Sequence, residues 1–293
     1  MQNNLMAMYF GQQIEDGPDV PLCFTAARAD SSVALTVIGS PAAVSLQCSR
    51  DRLQWTAYTV GDVIRLPNCG DRVWLRGDNA TFGVDASNSY RFAMTGLISA
   101  SGNTMSLLDS TCQATETRGS YCFTGLFMSC ASLISPPLLP ATTLTQNCYV
   151  SMFRECPNLR TAVRSLPATK TTTGCYNRMY QDCPSLLTAS DMAATSSASN
   201  CFRYMYRNCA ALAKGPAIRL RPQSERACQE MFYGCSALRE VTVEFSEWPT
   251  SSNAMSNWLQ GVASDGVFVC PAALDTSVRS VSRIPAGWTI RTK

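Results

Sequence analysis

Between residues 122 and 238 one phrase recurs five times: a cysteine, an aromatic residue, a Met-aromatic or Leu-aromatic pair, then Cys-x-x-Leu. Four copies are CFTGLFMSCASL from Cys122, CYVSMFRECPNL from Cys148, CYNRMYQDCPSL from Cys175 and CFRYMYRNCAAL from Cys201. The fifth, ACQEMFYGCSAL from Ala227, keeps the second half and scrambles the first. The closing leucines, Leu133, Leu159, Leu186, Leu212 and Leu238, stand 26 or 27 residues apart. A period in this range specifies a solenoid, one supersecondary unit stacked per repeat. Such a stack offers a shaped surface more readily than a catalytic pocket.

Within each repeat the apolar residues fall near i, i+1, i+4, i+5 and i+8, which predicts a helix about two turns long. An extended stretch follows each leucine, clearest over 133–144 and 159–169. The expected fold class is therefore α/β. Strands stack about 4.8 Å apart and helices need roughly 8–10 Å, so the helical side is expected to fan out and leave the strand side concave. The aromatic columns Phe123, Tyr149, Tyr176, Phe202 and Phe127, Phe153, Tyr180, Tyr206, Phe232 read as core, with tyrosine hydroxyls able to reach the surface. Nine of the fifteen cysteines occupy two repeat columns and the total is odd. That arrangement predicts buried thiol ladders, because stacked equivalents have no unique pairing.

Upstream, residues 22–102 carry short β-rich runs separated by turn signals such as Gly39-Ser-Pro and Asn68-Cys-Gly-Asp. They predict an antiparallel sandwich of immunoglobulin-like size. The resulting organisation is a lead-in or docking segment over 1–20, a β-sandwich over 21–104, a solenoid of about five coils over 105–239 and a C-terminal cap over 240–293. No stretch approaches the ~20 apolar residues of a membrane span, so no membrane insertion is expected. The opening residues lack a basic region followed by an apolar core, so no signal peptide is expected either.

Charge is unevenly placed. Residues 118–239 carry 13 Lys/Arg against 5 Asp/Glu, a net of +8, whereas the flanking regions are acidic. An anionic partner at the array is the natural expectation. Arg154 and Arg207 follow the second aromatic of their repeats, and with Arg178, Arg203 and Tyr204 they form the candidate ligand-binding strip. Charge alone argues for nucleic acid, so none is expected.

No catalytic machinery is legible. The chain has no histidine, which removes Ser-His-Asp and Cys-His catalysis and histidine-containing zinc sites. The Cys-x7-Cys interval matches no zinc spacing, and no phosphate-loop motif is present. Asp182, Asp191, Glu225 and Glu230, the candidate carboxylates for glycoside hydrolysis, occupy unmatched repeat positions and read as solvated. The run Ser49-Arg-Asp51-Arg-Leu-Gln-Trp55 reads as a hairpin turn. Neither an enzyme nor a cofactor or metal site is expected.

The Met/Leu-aromatic-x-x-Cys-x-x-Leu core, followed by Leu-Pro-Ala-Thr-Thr-Leu at 139–144, resembles the BspA-like leucine-rich repeat. The segments Asn257-Trp258 to Gly261-Val-Ala-Ser and Ile284-Pro-x-Gly-Trp288 resemble the C-terminal cap of such proteins. The third and fourth repeats depart from the pattern, losing Leu-Pro-Ala-Thr. The family occurs in surface proteins of gut bacteria and in their phages. The resemblance implies a β-sandwich mount carrying a leucine-rich-repeat solenoid and a cap. It also implies a virion-associated fibre, tail or capsid-decorating protein. Its partners would be virion structural proteins or host surface glycans and proteins, with room for a homo-oligomer. A bacterial cell-surface adhesin binding host glycoprotein or matrix is the alternative.

Overall fold

The structure, a computed structural model, describes residues 17–251 and 253–293. Most of the lead-in expected over 1–20 therefore lies outside the described residues. Its end is tied down at Asn103, whose N–H donates to Val20 O at 2.8 Å and whose Nδ2 donates to Pro18 O at 2.7 Å.

Alternating apolar residues build the first eight strands: β1 (Leu22–Ala26), β2 (Ser31–Ile38), β3 (Leu46–Ser49), β4 (Thr56–Tyr58), β5 (Ile64–Leu66), β6 (Arg72–Arg76), β7 (Ser89–Thr95) and β8 (Ile98–Ser101). They pair antiparallel in two sheets, ordered β4-β3-β6-β1-β8 and β5-β2-β7. Leu22 and Phe24 of β1, Leu75 of β6, Leu35 of β2 and Phe92 of β7 are buried in one core, as the two-residue period of a strand dictates. The order differs from an immunoglobulin sandwich, where the first strand pairs with the second and the last with its predecessor. Here β1 pairs with β6, and β7 pairs with β2.

At β8 the sandwich becomes the stack. One edge of β8 pairs antiparallel with β1, the other in parallel with β9 (Leu133–Ser135). One strand per coil follows: β10 (Ser165–Leu166), β11 (Asp191–Met192), β12 (Lys214–Ile218), β13 (Glu240–Val243), β14 (Gly266–Cys270) and β15 (Trp288–Thr292). The short rungs β10 and β11 pair in parallel, as do β12 to β15.

The segment expected to be helical is not a helix. Among the described residues the single helical element is a 3-10 turn at Thr104–Leu107. The chain is almost entirely β, which overturns the α/β class and keeps the solenoid of about five coils. Backbone conformation gives the reason. Every fourth residue of the segment is left-handed: Asn147, Ser151 and Glu155 in the second coil, Gly174, Arg178 and Asp182 in the third, Asn200, Tyr204 and Asn208 in the fourth. An α-helix cannot absorb such residues at that frequency. The segment is a run of tight turns instead. In the second coil Val150 N and Met152 N donate back to Asn147 O and Tyr149 O, while the intervening Tyr149 N and Ser151 N donate forward to Cys175 O and Asn177 O of the next coil. Alternate amides thus close turns and bridge coils, so the turn side stacks like a sheet.

That stacking removes the cause of the expected fan. Rings at equivalent positions lie 5.3–5.6 Å apart from Phe127 through Phe153, Tyr180 and Tyr206 to Phe232, far below a helix-to-helix spacing. Phe92 of the sandwich stacks under Phe127 at 5.2 Å and Trp258 closes the other end at 6.0 Å. The second column runs Phe123–Tyr149–Tyr176–Phe202 at 5.5–6.0 Å. Each stacked pair contributes about 0.5–1.5 kcal/mol beyond area burial.

The cysteine columns are ladders of buried thiols, and no disulfide joins any of the fifteen. In one column each Sγ–H donates to the carbonyl of an aromatic residue one coil earlier: Cys156 to Phe127, Cys183 to Phe153, Cys209 to Tyr180 and Cys235 to Tyr206, at 3.0–3.1 Å. Two of those carbonyls, Phe127 O and Tyr206 O, also accept a turn N–H, from Cys130 and Cys209, so a small apolar side chain with one weak donor fits there. The tyrosine hydroxyls do not reach the surface. Tyr180 and Tyr206 are fully buried, and their oxygens accept from Val163 N and Ser190 N, both at 3.0 Å. The fifth repeat is less scrambled than its sequence. Phe202 N donates to Ala227 O, which sets Ala227 in the cysteine column and Cys228 in the aromatic one. The turn run also continues past Leu238, with Cys228 N and Phe232 N donating to Ala254 O and Trp258 O.

Candidate anion-binding face

The turn side exposes the residues that the columns do not claim. Cys, aromatic and Met positions face inward, leaving the two residues after each aromatic, except the buried Ser151, to face solvent in the second to fourth coils. In the second to fourth coils these include Arg154, Asn177, Arg178, Gln181, Arg203, Tyr204 and Arg207, all half-buried. Arg178 and Tyr204 occupy the same left-handed position of successive coils, with φ of 58° and 59°. Arg154 and Arg207 share another column, separated by Gln181. The repeat geometry therefore gathers the five residues of the sequence-predicted strip into one patch.

Tyr204 is its centre. The guanidinium carbons of Arg203, Arg178 and Arg207 lie 4.4, 5.3 and 5.3 Å from its ring centroid, within cation–π range. Arg203 Nη2 donates to the Tyr204 hydroxyl at 2.6 Å. Arg207 also lies 4.8 Å from the Tyr233 ring. Desolvation lowers the pKa of Arg178, and the neighbouring Arg203, Arg154 and Arg207 charges add to that shift.

Acids offset half of the cluster. Arg154 pairs with Glu155 at 2.5 Å and Arg207 with Glu230 at 2.9 Å. Among the described residues no carboxylate pairs with Arg178 or Arg203. Several buried polar atoms of the same face also lack a hydrogen-bond partner: Nε of Arg154, Arg203 and Arg207, Oδ1 of Asn177, and Oε1 of Gln181 and Gln229. The sequence strip missed Asn177, Gln181, Gln229, Glu230 and Tyr233. Their signal was their offset, since they fill the same non-repeating positions as the arginines.

The strand side is different. Its charges pair from coil to coil: Lys214 with Glu240 at 2.8 Å, Arg219 with Asp191 at 2.9 Å, Arg221 with Glu247 at 2.7 Å, and Arg239 with Asp265. These pairs align rungs and neutralise the four cations they hold. The carboxylates considered for hydrolysis are likewise engaged separately, Asp191 with Arg219, Glu230 with Arg207, Glu225 with Arg226 and Asp182 with Asn208 Nδ2. Among the described residues no cluster of three or more potential metal ligands occurs, and no helix is long and apolar enough to cross a membrane. The Ser49–Trp55 run is a hairpin turn held by Asp51 Oδ1, which accepts from Leu53 N and Gln54 N at 2.8 and 2.9 Å.

Fold and face together define a β-solenoid built onto a two-sheet β-domain, with one cationic side centred on a tyrosine. No protein-family model, curated protein or solved structure matches the chain.

Proposed function

We propose that this is a non-enzymatic recognition protein whose turn face binds an anionic partner. The observation that carries the reading is the gathering of Arg154, Arg178, Arg203 and Arg207 around Tyr204, with two of the four lacking carboxylate partners. A charge-assisted hydrogen bond contributes about 1.5–3 kcal/mol, so two unneutralised guanidiniums on one rigid face supply useful affinity. Stacked coils hold these side chains on a backbone that is hydrogen-bonded rung to rung, which limits the ordering cost of binding.

The setting we favour is a virion-associated fibre, tail or capsid-decorating protein that presents this face to host-cell glycans. The sandwich would serve as the mount and the array as a BspA-like leucine-rich repeat. Supporting this reading are the Cys-x-x-Leu phrase, the strand after each leucine and the continuity of β8 with β9. The test has two parts. Purified protein should bind immobilised acidic polysaccharide and not a neutral one, with binding lost in the double variant R178A/R203A and weakened by salt. Specific antibody should label purified phage particles in electron micrographs. Labelling of the bacterial surface instead would reassign the protein as an adhesin, and absence of anion binding would sink the reading altogether.

A further inference from the structure

Resting on that reading, we infer that the Tyr204 face recognises a sugar phosphomonoester, its dianionic phosphate held between Arg178 and Arg203. The argument begins with valence. Arg154 and Arg207 are answered by Glu155 and Glu230, and Asp182 accepts from Asn208 and Gln181, which leaves the Arg178 and Arg203 charges without a carboxylate partner among the described residues, both within 5.3 Å of one ring centre. A single group bearing two negative charges matches that residue of charge. A phosphomonoester is such a group near neutral pH, whereas a carboxylate or a sulfate ester carries one.

Donor geometry agrees. Guanidinium edges recognise phosphate oxygens in forks, and Arg203 Nε is a buried donor with no partner. The Tyr204 hydroxyl accepts from Arg203, so its own proton can be donated outward to an anionic oxygen. A bare phosphate would use donors alone. This face also carries buried amide acceptors without partners, at Asn177, Gln181 and Gln229. Asn177 lies one coil below Arg203 in the same column and Gln229 one coil above, while Gln181 lies between Arg154 and Arg207. Acceptors flanking a phosphate clamp suit the hydroxyl groups of a sugar.

The experiment uses the full chain and three carrier conjugates of one hexose, bearing glucose 6-phosphate, glucose 6-sulfate or glucuronate. At pH 7.5 the phosphate conjugate should bind at least tenfold more tightly than either monoanion. The advantage over the sulfate should shrink as pH falls to 5, because the second phosphate proton returns near pH ~6. The chain has no histidine to titrate in that window, and the facing acids, Glu155, Asp182 and Glu230, are common to all three measurements. R178A and R203A should each weaken phosphate binding about tenfold or more, with unchanged unfolding midpoints confirming an intact fold. Equal binding of phosphate and sulfate, or a ratio independent of pH, would overturn the inference. If all three bind alike and R178A/R203A abolishes all three, the anion-binding function stands and the phosphate assignment falls. If none binds, both fall.

Discussion

The hydroxyl oxygen of Tyr206 accepts the backbone N–H of Ser190, one coil earlier, at 3.0 Å, and both residues are fully buried. In the third coil the strand side is reduced to the two-residue β11, and the Ser190 amide next to it turns inward to the aromatic column. Tyr206→Phe would leave that amide without an acceptor and should cost about 1–3 kcal/mol. Tyr149 is the built-in comparison, because its hydroxyl is buried with no partner. Tyr149→Phe should be neutral or stabilising. Urea midpoints of the two variants against the parent chain decide the matter, and equal losses would contradict the assignment.

The thiol ladders predict sensitivity to alkali. Burial pushes the Cys130 and Cys235 thiols up to about 12 and those of Cys112 and Cys201 to about 11, and it raises Cys148 and Cys175 too. In the unfolded chain these groups lose protons near pH ~8.5. Above that pH the native state binds more protons than the unfolded state, so stability falls as pH rises. Their contribution is complete below pH ~8.5 and is lost toward the native values. The urea midpoint should hold from pH 7 to 8 and drop steeply between 9 and 10.5. A flat profile to pH 10.5 would contradict the burial of these thiols.

Accessibility gives a count. Cys69 is exposed and Cys48 half-buried, whereas the other thirteen cysteines are buried. A thiol reagent should therefore titrate up to two groups rapidly in native protein. All fifteen should react once the protein is denatured without reductant. A denatured count near one would mean that the ladders are disulfides.

Left-handed turn positions predict a glycine effect. Gly174 has φ of +64°, and a Cβ there would collide with Oδ1 of Asn147 in the preceding coil. Gly174→Ala should destabilise by about 1–3 kcal/mol through strain and the displaced amide. At Gly61, also left-handed but with nothing within 4 Å of the added Cβ, alanine carries only the conformational cost and should be milder. Thermal unfolding of both variants tests the order.

The repeat phrase specified the stack and the inward columns, since only buried positions need recur when each coil packs on the next. Its apolar spacing nonetheless fits a helix and a chain of turns equally, because both bring residues four apart to one side. The distinguishing signal lay elsewhere in the phrase. Asn147, Gly174 and Asn200 form one column and Asp182, Asn208, Gly234 and Gly261 another, residue types that tolerate positive φ. Tyr204, Arg178 and Glu155 occupy left-handed positions without such preference, which hid the pattern. The sandwich strands were readable from alternation, but the pairing of β1 with β6 was not, because pairing between distant strands leaves no local mark.

By itself, then, the sequence determined a solenoid of 26- and 27-residue coils, its buried thiols and rings, and an arginine-rich array. Tertiary structure alone decided that the turn side stacks by hydrogen bonds at strand-like spacing. It also decided which charges cancel. On the strand side Lys214, Arg219, Arg221 and Arg239 each meet an acid one coil away, whereas on the turn side Arg178 and Arg203 meet Tyr204. Net charge is a sum over sequence, but a binding face depends on distances that exist only once coils lie on one another.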